Sequence, residues 1–492
     1  MPTHTGRRHF MGAVSLAGMG ALTHRPIPAS ASPVPPVQTG DTTEARTGIT
    51  RALARYVVQA RPEDLPPAVR REAHRTLLNW MGCAVGGSRH ETLDVAIAAL
   101  SPFSGPPQAS VLGRRERLDV LHASLMNGIS SHVFDFDDTH LKTVIHPAGP
   151  VVSGLLALAE HRPMSGREFM HALVLGVEVE CRIGNAVYPA HYDRGWHITG
   201  TAGVFGAAAA CGRALGLTEQ QMVWAFGLAA TQPVGLREMF GSMTKSFHPG
   251  RAAQNGLTAA LLASRNFTST DVGLEGKSGW ANVLSTARRY DEITGNLGKT
   301  YEISLNTYKP FACGIVIHPI IDACIRLRNQ HSLAAADIER IDLDVHPLVL
   351  ELTGKKTPQT GLETKFSVYF AAALAIVRGS AGMRDFSDAN AKDPMLVALR
   401  DRVTATVDPA IQEHQTRARI TLKDGRALTH FVEHVVGSLE RPMSDADLEA
   451  KALDLMNGVL PDQQARALVG LCWKAEGLPA AGDLASAAVP RA

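Results

Sequence analysis

Apolar residues recur at three- and four-residue spacing over 51–60 and again over 67–85, the period of helices that bury one face. The stretch 148–161 is apolar over most of its length and stops at Arg162-Pro163. Ser165-x-x-Glu168 has the spacing of a capping box, in which each side chain takes the other residue's backbone N–H, and opens a helix running towards Arg182. Residues 199–215 are rich in small side chains and end at Gly216, a natural helix stop. Thr218 caps one more helix, through Gly227 or beyond. Helices that are apolar on all sides have no solvent face, so 49–305 is expected to form a large all-helical domain.

After Asn306 the texture changes. Segments 338–345 and 403–407 alternate like strands, and 417–422 and 427–432 flank Asp424-Gly425, a strong hairpin signal. Helical stretches at 317–328 and 364–378 intervene. Residues 306–440 therefore read as a smaller α+β lid domain. Past Pro442, Ser444 caps a helix to Met456, and 441–492 reads as a helical tail returning to the large domain. The fold class expected is mainly α, with the α+β lid inserted in a helical body. No internal repeat is visible.

Composition narrows the function. With 492 residues, 45% hydrophobic and 20% charged, the chain can bury large cores. A formal charge of only +2 gives no footprint for nucleic acid or for stable membrane association. The six cysteines form no C-x-x-C pair and show no zinc spacing, so they read as small buried apolar residues. Gly6-Arg7-Arg8-His9-Phe10-Met11, an uncharged stretch to Leu22 and Ala29-Ser30-Ala31 resemble a twin-arginine export leader with its cleavage site. On that reading 1–31 is a signal peptide, 32–48 a linker, and the mature protein periplasmic or secreted.

Four segments carry chemistry. Ser131-His132-Val133-Phe134-Asp135-Phe136-Asp137-Asp138-Thr139-His140, with His146-Pro147 after it, packs three carboxylates into four residues. Such groups repel unless they meet cations or share protons, so acid/base work, a divalent-metal loop and a solvated acidic turn are all open. Gly195-Trp196-His197-Ile198-Thr199-Gly200-Thr201 sets an imidazole just before a Thr cap, at a helix N-terminus that favours anions; a satisfied core histidine is the plain alternative. Thr244-Lys245-Ser246-Phe247-His248-Pro249-Gly250-Arg251, ahead of a small-residue helix over 252–263, is a carboxylate-binding surface or simply a basic loop. Tyr308-Lys309-Pro310, with His318-Pro319 beyond it, falls at the expected domain junction, where pockets commonly form. No GxGxxG after a strand, GxxxxGK[ST] or GxSxG is present, which favours proton transfer on an anionic substrate over cofactor chemistry.

Taken in order, these motifs, together with Lys365-Phe366-Ser367 and Asp424-Gly425, resemble the MmgE/PrpD family over about 49–460. The resemblance implies a homodimeric lyase that needs neither metal nor organic cofactor and acts on a small carboxylate in a cleft between domains. It implies a site containing Asp135, Thr139, His146, His197, Lys245 and Lys309, to which His248 and His318 are added as substrate-binding candidates. Catalysis is expected from Asp135, His146, His197 and Lys245, and carboxylate binding from Thr139 and Lys309. Where the family's cis-aconitate decarboxylases carry a His and a Tyr, this chain has Gly314 and Phe370, so a different substrate is expected. An epimerase of the same family and a non-catalytic exported carboxylate-binding protein are the alternative readings.

Overall fold

The structure is a computed structural model that describes residues 48–491. The expected leader and all but the last residue of the linker lie outside the described residues. The described chain is mainly helical, with a small sheet-containing domain.

The helical body forms where the caps and spacing place it. Helices span Ile49–Gln59, Pro67–Gly87, Ala148–His161, Gly166–Val187, Ile198–Ala214 and Glu219–Ala230. Both capping boxes close: Ser165 with Glu168 and Thr218 with Gln221 exchange both bonds, and Gly216 takes φ +70° after the small-residue helix. Every residue from Phe169 to Val187 is buried, so that helix runs through the core. All six cysteines are free and buried.

One helix begins earlier than expected. The basic segment 244–251, expected to precede a helix over 252–263, itself belongs to the helix Met243–Ser264, which continues through Pro249. An interior proline removes one backbone donor and costs about 3 kcal/mol, so it ordinarily marks a boundary. Here close packing offsets that cost. A Cβ on Gly149 would lie 3.1 Å from the Pro249 ring, and one on Gly250 would lie 2.4 Å from the Leu125 carbonyl oxygen of the helix Val120–His132. Neighbouring backbones thus approach closely around Pro249, and the turn carrying Lys245 and His248 stays helical.

The four-stranded sheet orders Val403–Val407, Ile338–Val345, Thr416–Leu422 and Ala427–Val432. The first pair is parallel and the others antiparallel, with Gly425 at φ +88° in the hairpin. Helices His318–His331 and Val368–Arg378 supply its apolar core with Ile320, Phe370 and Leu374, against Leu343 and Ile420. Helices Asp445–Met456 and Asp462–Trp473 pack on Pro67–Gly87, sharing a core through Leu448, Ala452 and Leu468. A separate two-stranded ladder pairs Asp138–His140 with Asn306–Tyr308.

Gly250→Ala is expected to cost about 1–3 kcal/mol or more, because the Leu125 carbonyl cannot yield without moving its helix. Gly470→Ala, with nothing within 4 Å of the added carbon and in the interior of a helix, is the comparison and is expected to stabilise by about 1 kcal/mol. Urea unfolding of both variants reads the difference.

Candidate active site

The two-stranded ladder builds the site. Its register sets Asp138 opposite Tyr308 and His140 opposite Asn306, so the acidic motif and Lys309 become neighbours despite their separation in sequence. Upstream, the helix Val120–His132 ends and the chain turns through Asp135 at φ +51°, a left-handed conformation that Asp tolerates better than most residues. The first turn of Met243–Ser264 brings Lys245 to the same point.

The result is a buried ionic trio. Lys309 Nζ lies 2.6 Å from Asp135 Oδ1 and donates also to the Asp135 carbonyl at 3.1 Å. Lys245 Nζ lies 2.8 Å from the same carboxylate oxygen, over the rings of Phe240 and Phe366. Burial raises the Asp135 pKa, but the two ammonium groups outweigh it and hold the carboxyl well below its usual range. Burial lowers the pKa of Lys245, and Asp135 opposes that shift. Two ammonium groups share one carboxylate and keep N–H donors to spare, which suits an incoming carboxylate.

Four imidazoles stand beside it. His146 Nδ1 lies 2.7 Å from the Asp138 carbonyl oxygen, which can only accept, so the proton sits on Nδ1 and Nε2 carries the lone pair. Asp137 Oδ1 is 3.5 Å from the same nitrogen, and Thr139 Oγ1 is 3.3 Å away. His132 Nδ1 donates to Asp137 Oδ2 at 2.7 Å, and its buried Nε2 has no partner. The imidazoles of His132 and His146 outweigh burial at Asp137 and keep that carboxyl ionised. His197 Nδ1 lies 2.9 Å from His248 Nδ1, so one proton serves both. Gly235, at φ +112°, permits that approach; a Cβ there would lie 2.9 Å from the His248 ring. Burial drives His146 down to about 3, and burial with His248 and Lys245 nearby drives His197 well below the ordinary imidazole value. Both are neutral bases at neutral pH.

A cavity of about 50 Å³ opens onto Asp135, Thr139, His146, His197, Lys245 and Lys309. Its other wall is apolar, with Ile315, Val316, Leu348, Leu352 and Phe366. Six of the eight residues singled out from the sequence therefore meet here. His248 stands behind His197 rather than on the wall. His318 lines a neighbouring cavity, its ring against Phe311 and its Nε2 3.4 Å from the Cys313 carbonyl. His197 itself occupies the N-cap position, and Thr199, expected to cap, accepts the His146 backbone N–H through Oγ1 at 3.1 Å. Gly314 lies on the cavity wall, whereas Phe370 and Tyr369 pack in the core of the sheet-containing domain.

Sequence reasoning missed three supports. The His132–Asp137 pair lay inside the acidic motif, but nothing in the spacing separated it from the other polar residues. Lys451 Nζ donates to the carbonyls of Phe136 and Lys309 and to Asn79 Oδ1, at 2.6, 2.8 and 2.8 Å. Lys365 Nζ donates to the carbonyls of Phe134 and Ala312 at 2.7 and 2.5 Å. Lys365 stood in a quoted motif but without a role, and Lys451, a lone Lys in a helical tail, carried no signal.

One nitrogen each of His132, His146 and His197 lies within 4.8 Å of the others, as do single atoms of His132, Asp135, Asp137 and His146. That spacing could hold a metal ion. The donor chemistry disfavours a dication: Asp135 is held by two ammonium groups, and Asp137 is held by His132.

Buried carboxylates, neutral imidazoles and paired lysines in an apolar-walled cleft are groups that can bind an anion and exchange protons with it. The chain belongs to the MmgE/PrpD family: the MmgE/PrpD N-terminal domain matches residues 51–293 and the C-terminal domain residues 311–475. Its relatives include a cis-aconitate decarboxylase of Aspergillus terreus, 25% identical over 457 residues, covering 87% of this chain and 93% of that protein. The cis-aconitate decarboxylase of Homo sapiens is 26% identical over 430 residues, covering 82% and 86%. A 2-methylcitrate dehydratase of Cupriavidus necator is 23% identical over 410 residues, covering 75% and 82%.

Asp138 carries a pH signature. Burial, with Asp137 next to it, raises its carboxyl to about 7, while Asn306 Nδ2 donates to Oδ2 at 2.7 Å. A folded pKa above the unfolded one gives stability that is whole below the unfolded value and is lost as pH rises through the folded value. Asp138→Asn mimics the neutral acid. Relative to that variant, the wild type is expected to lose on the order of 4 kcal/mol between about pH 4 and 7. Parallel urea titrations across that range check it, and a constant difference would contradict the assignment.

Proposed function

We propose that the protein is a cofactor-independent lyase that removes a proton next to a carboxylate of a small polycarboxylic acid and then expels water or carbon dioxide. The observation that carries this reading is one carboxylate shared by two lysines, beside two neutral imidazoles, in a buried cleft. The decarboxylase and dehydratase relatives support the lyase class.

Lys245 and Lys309 turn from Asp135 towards a substrate carboxylate, and they stabilise the enediolate charge that builds on it as the adjacent carbon loses its proton. His197 is the base. When its Nε2 takes the proton, Nδ1–H donates to His248 Nδ1, which spreads the new charge. In dehydration that proton leaves with the hydroxyl as water. In decarboxylation the electron pair of the broken bond stays on the substrate as carbon dioxide leaves, and the substrate takes up two protons, the one held on His197 and one from solvent. Asp135 is too strongly held as an anion to serve as the base and acts as the counter-ion of the lysines. Thr139 orients His146 and the bound carboxylate. Two neutral imidazoles on the cleft wall, His146 and His197, also favour a second reading, a two-base epimerase.

Proton NMR in deuterated buffer with cis-aconitate, 2-methylcitrate, citrate and iminodisuccinate distinguishes these. New olefinic signals that fall at least a hundredfold in His197→Ala are expected. Deuterium uptake without elimination would establish the epimerase instead, and binding without either would leave a carboxylate-binding protein. Dialysis against a chelator is expected to leave the rate unchanged; loss restored by a divalent cation would assign the imidazole cluster to a metal.

Two further expectations belong to the same proposal. Arg7-Arg8 supports export through the twin-arginine route to the periplasm or beyond. Lysine replacement of both is expected to retain the protein in the cytoplasmic fraction. Family membership supports a homodimer.

A further inference from the structure

A second cavity, of about 310 Å³, lies directly beside the catalytic cleft. Val144, Ile315 and Val316 line both, so aliphatic side chains form their common wall. The far side of the second cavity is also apolar, with Leu141, Pro310, Val435, Val436 and Leu439. Its charged members include Glu413, Glu440 and Lys142, the last already paired with Glu292 at 2.9 Å, so the unmatched charge is acidic and repels a carboxylate. His318, held neutral by burial at about 3, adds no charge. A polycarboxylate has no reason to enter this space, but a hydrocarbon has.

Two features favour passage between the cavities. Val144 sits at φ +53°, a conformation costly for a β-branched residue, so a backbone shift there towards negative φ lowers its energy. On the cleft side Gly314 presents no side chain. A Cβ there would meet only Thr353 Cγ2 at 3.3 Å and the Lys365 carbonyl at 3.6 Å. The lysines fix the carboxylate end, and Val144, Ile315 and Val316 line the same cleft.

We infer that the substrate is a carboxylic acid bearing an alkyl arm, with the carboxylates at Lys245 and Lys309 and the arm passing Val144, Ile315 and Val316 into the second cavity. This rests on the carboxylate reading of the cleft and adds the class of substituent. The arm supplies binding energy away from the reacting carbon and sets which acid is accepted.

Calorimetric binding of succinate and of its 2-alkyl derivatives, butyl through octyl, to the full chain tests this without requiring turnover. Kd is expected to tighten roughly threefold to fourfold per methylene until the cavity is filled. Val436→Trp narrows the cavity and is expected to remove that gain. Leu439→Trp, at a position 43% exposed, is the second variant should the first fail to fold. Equal Kd for succinate and its alkyl derivatives would overturn the inference and leave the carboxylate site standing. Failure of every member to bind would overturn both. A gain that survives in both variants, or a change of oligomeric state in them without a chain-length effect, would also overturn it, the latter assigning the cavity to a second copy of this chain.

Discussion

Asp135 shared between Lys245 and Lys309 is the constraint on which the rest of the site depends. The three residues come from a turn after one helix, the first turn of another and the end of a short strand. Burying each of these charges costs several kcal/mol, and removing one partner of such a cluster typically costs about 3–5 kcal/mol. The three segments must therefore meet in one arrangement. Lys451 and Lys365 reinforce it by consuming the carbonyls of Phe134, Phe136, Lys309 and Ala312. With those oxygens occupied, the left-handed turn at Asp135 has little freedom to relax. Lys451 also explains why a C-terminal helix must pack against the N-terminal body.

The same burial that makes the ionic trio costly prepares the bases beside it. An imidazole near ammonium groups and out of water resists protonation, so His146 and His197 keep their lone pairs where a free histidine would be half charged. Asp137 and the Asp138 carbonyl settle which nitrogen of His132 and His146 carries the proton. The apolar wall from the sheet-containing domain keeps water from competing for either the lysines or the proton. Cation pairing, neutral bases and exclusion of water are thus consequences of one packing arrangement.

Much of this was legible in the sequence because local rules and global packing agree there. Ser165 and Thr218 cap as their spacing demands, Gly425 turns the hairpin, and the strand at 338–345 alternates towards the core. Six of the eight candidate site residues line one cleft. What the sequence hid depends on long-range packing. Pro249 reads as a boundary, yet the close approach of Gly149 and the helix Val120–His132 keeps its segment helical. His248 looked like a ligand for substrate, but only the fold shows that it faces His197. His318 and Phe370 follow cleft residues in sequence and still face other surroundings, because a helix turns successive side chains onto different faces.

The central claim is that the cleft holds neutral imidazoles beside a cation-rich carboxylate. Nitrogen NMR of protein labelled with ¹⁵N-histidine, with His146→Gln and His197→Gln for assignment, tests it directly. At about pH 6, where a free imidazole is mostly charged, both histidines are predicted to be neutral, with the His146 proton on Nδ1. An imidazolium signal from either at that pH would contradict the account.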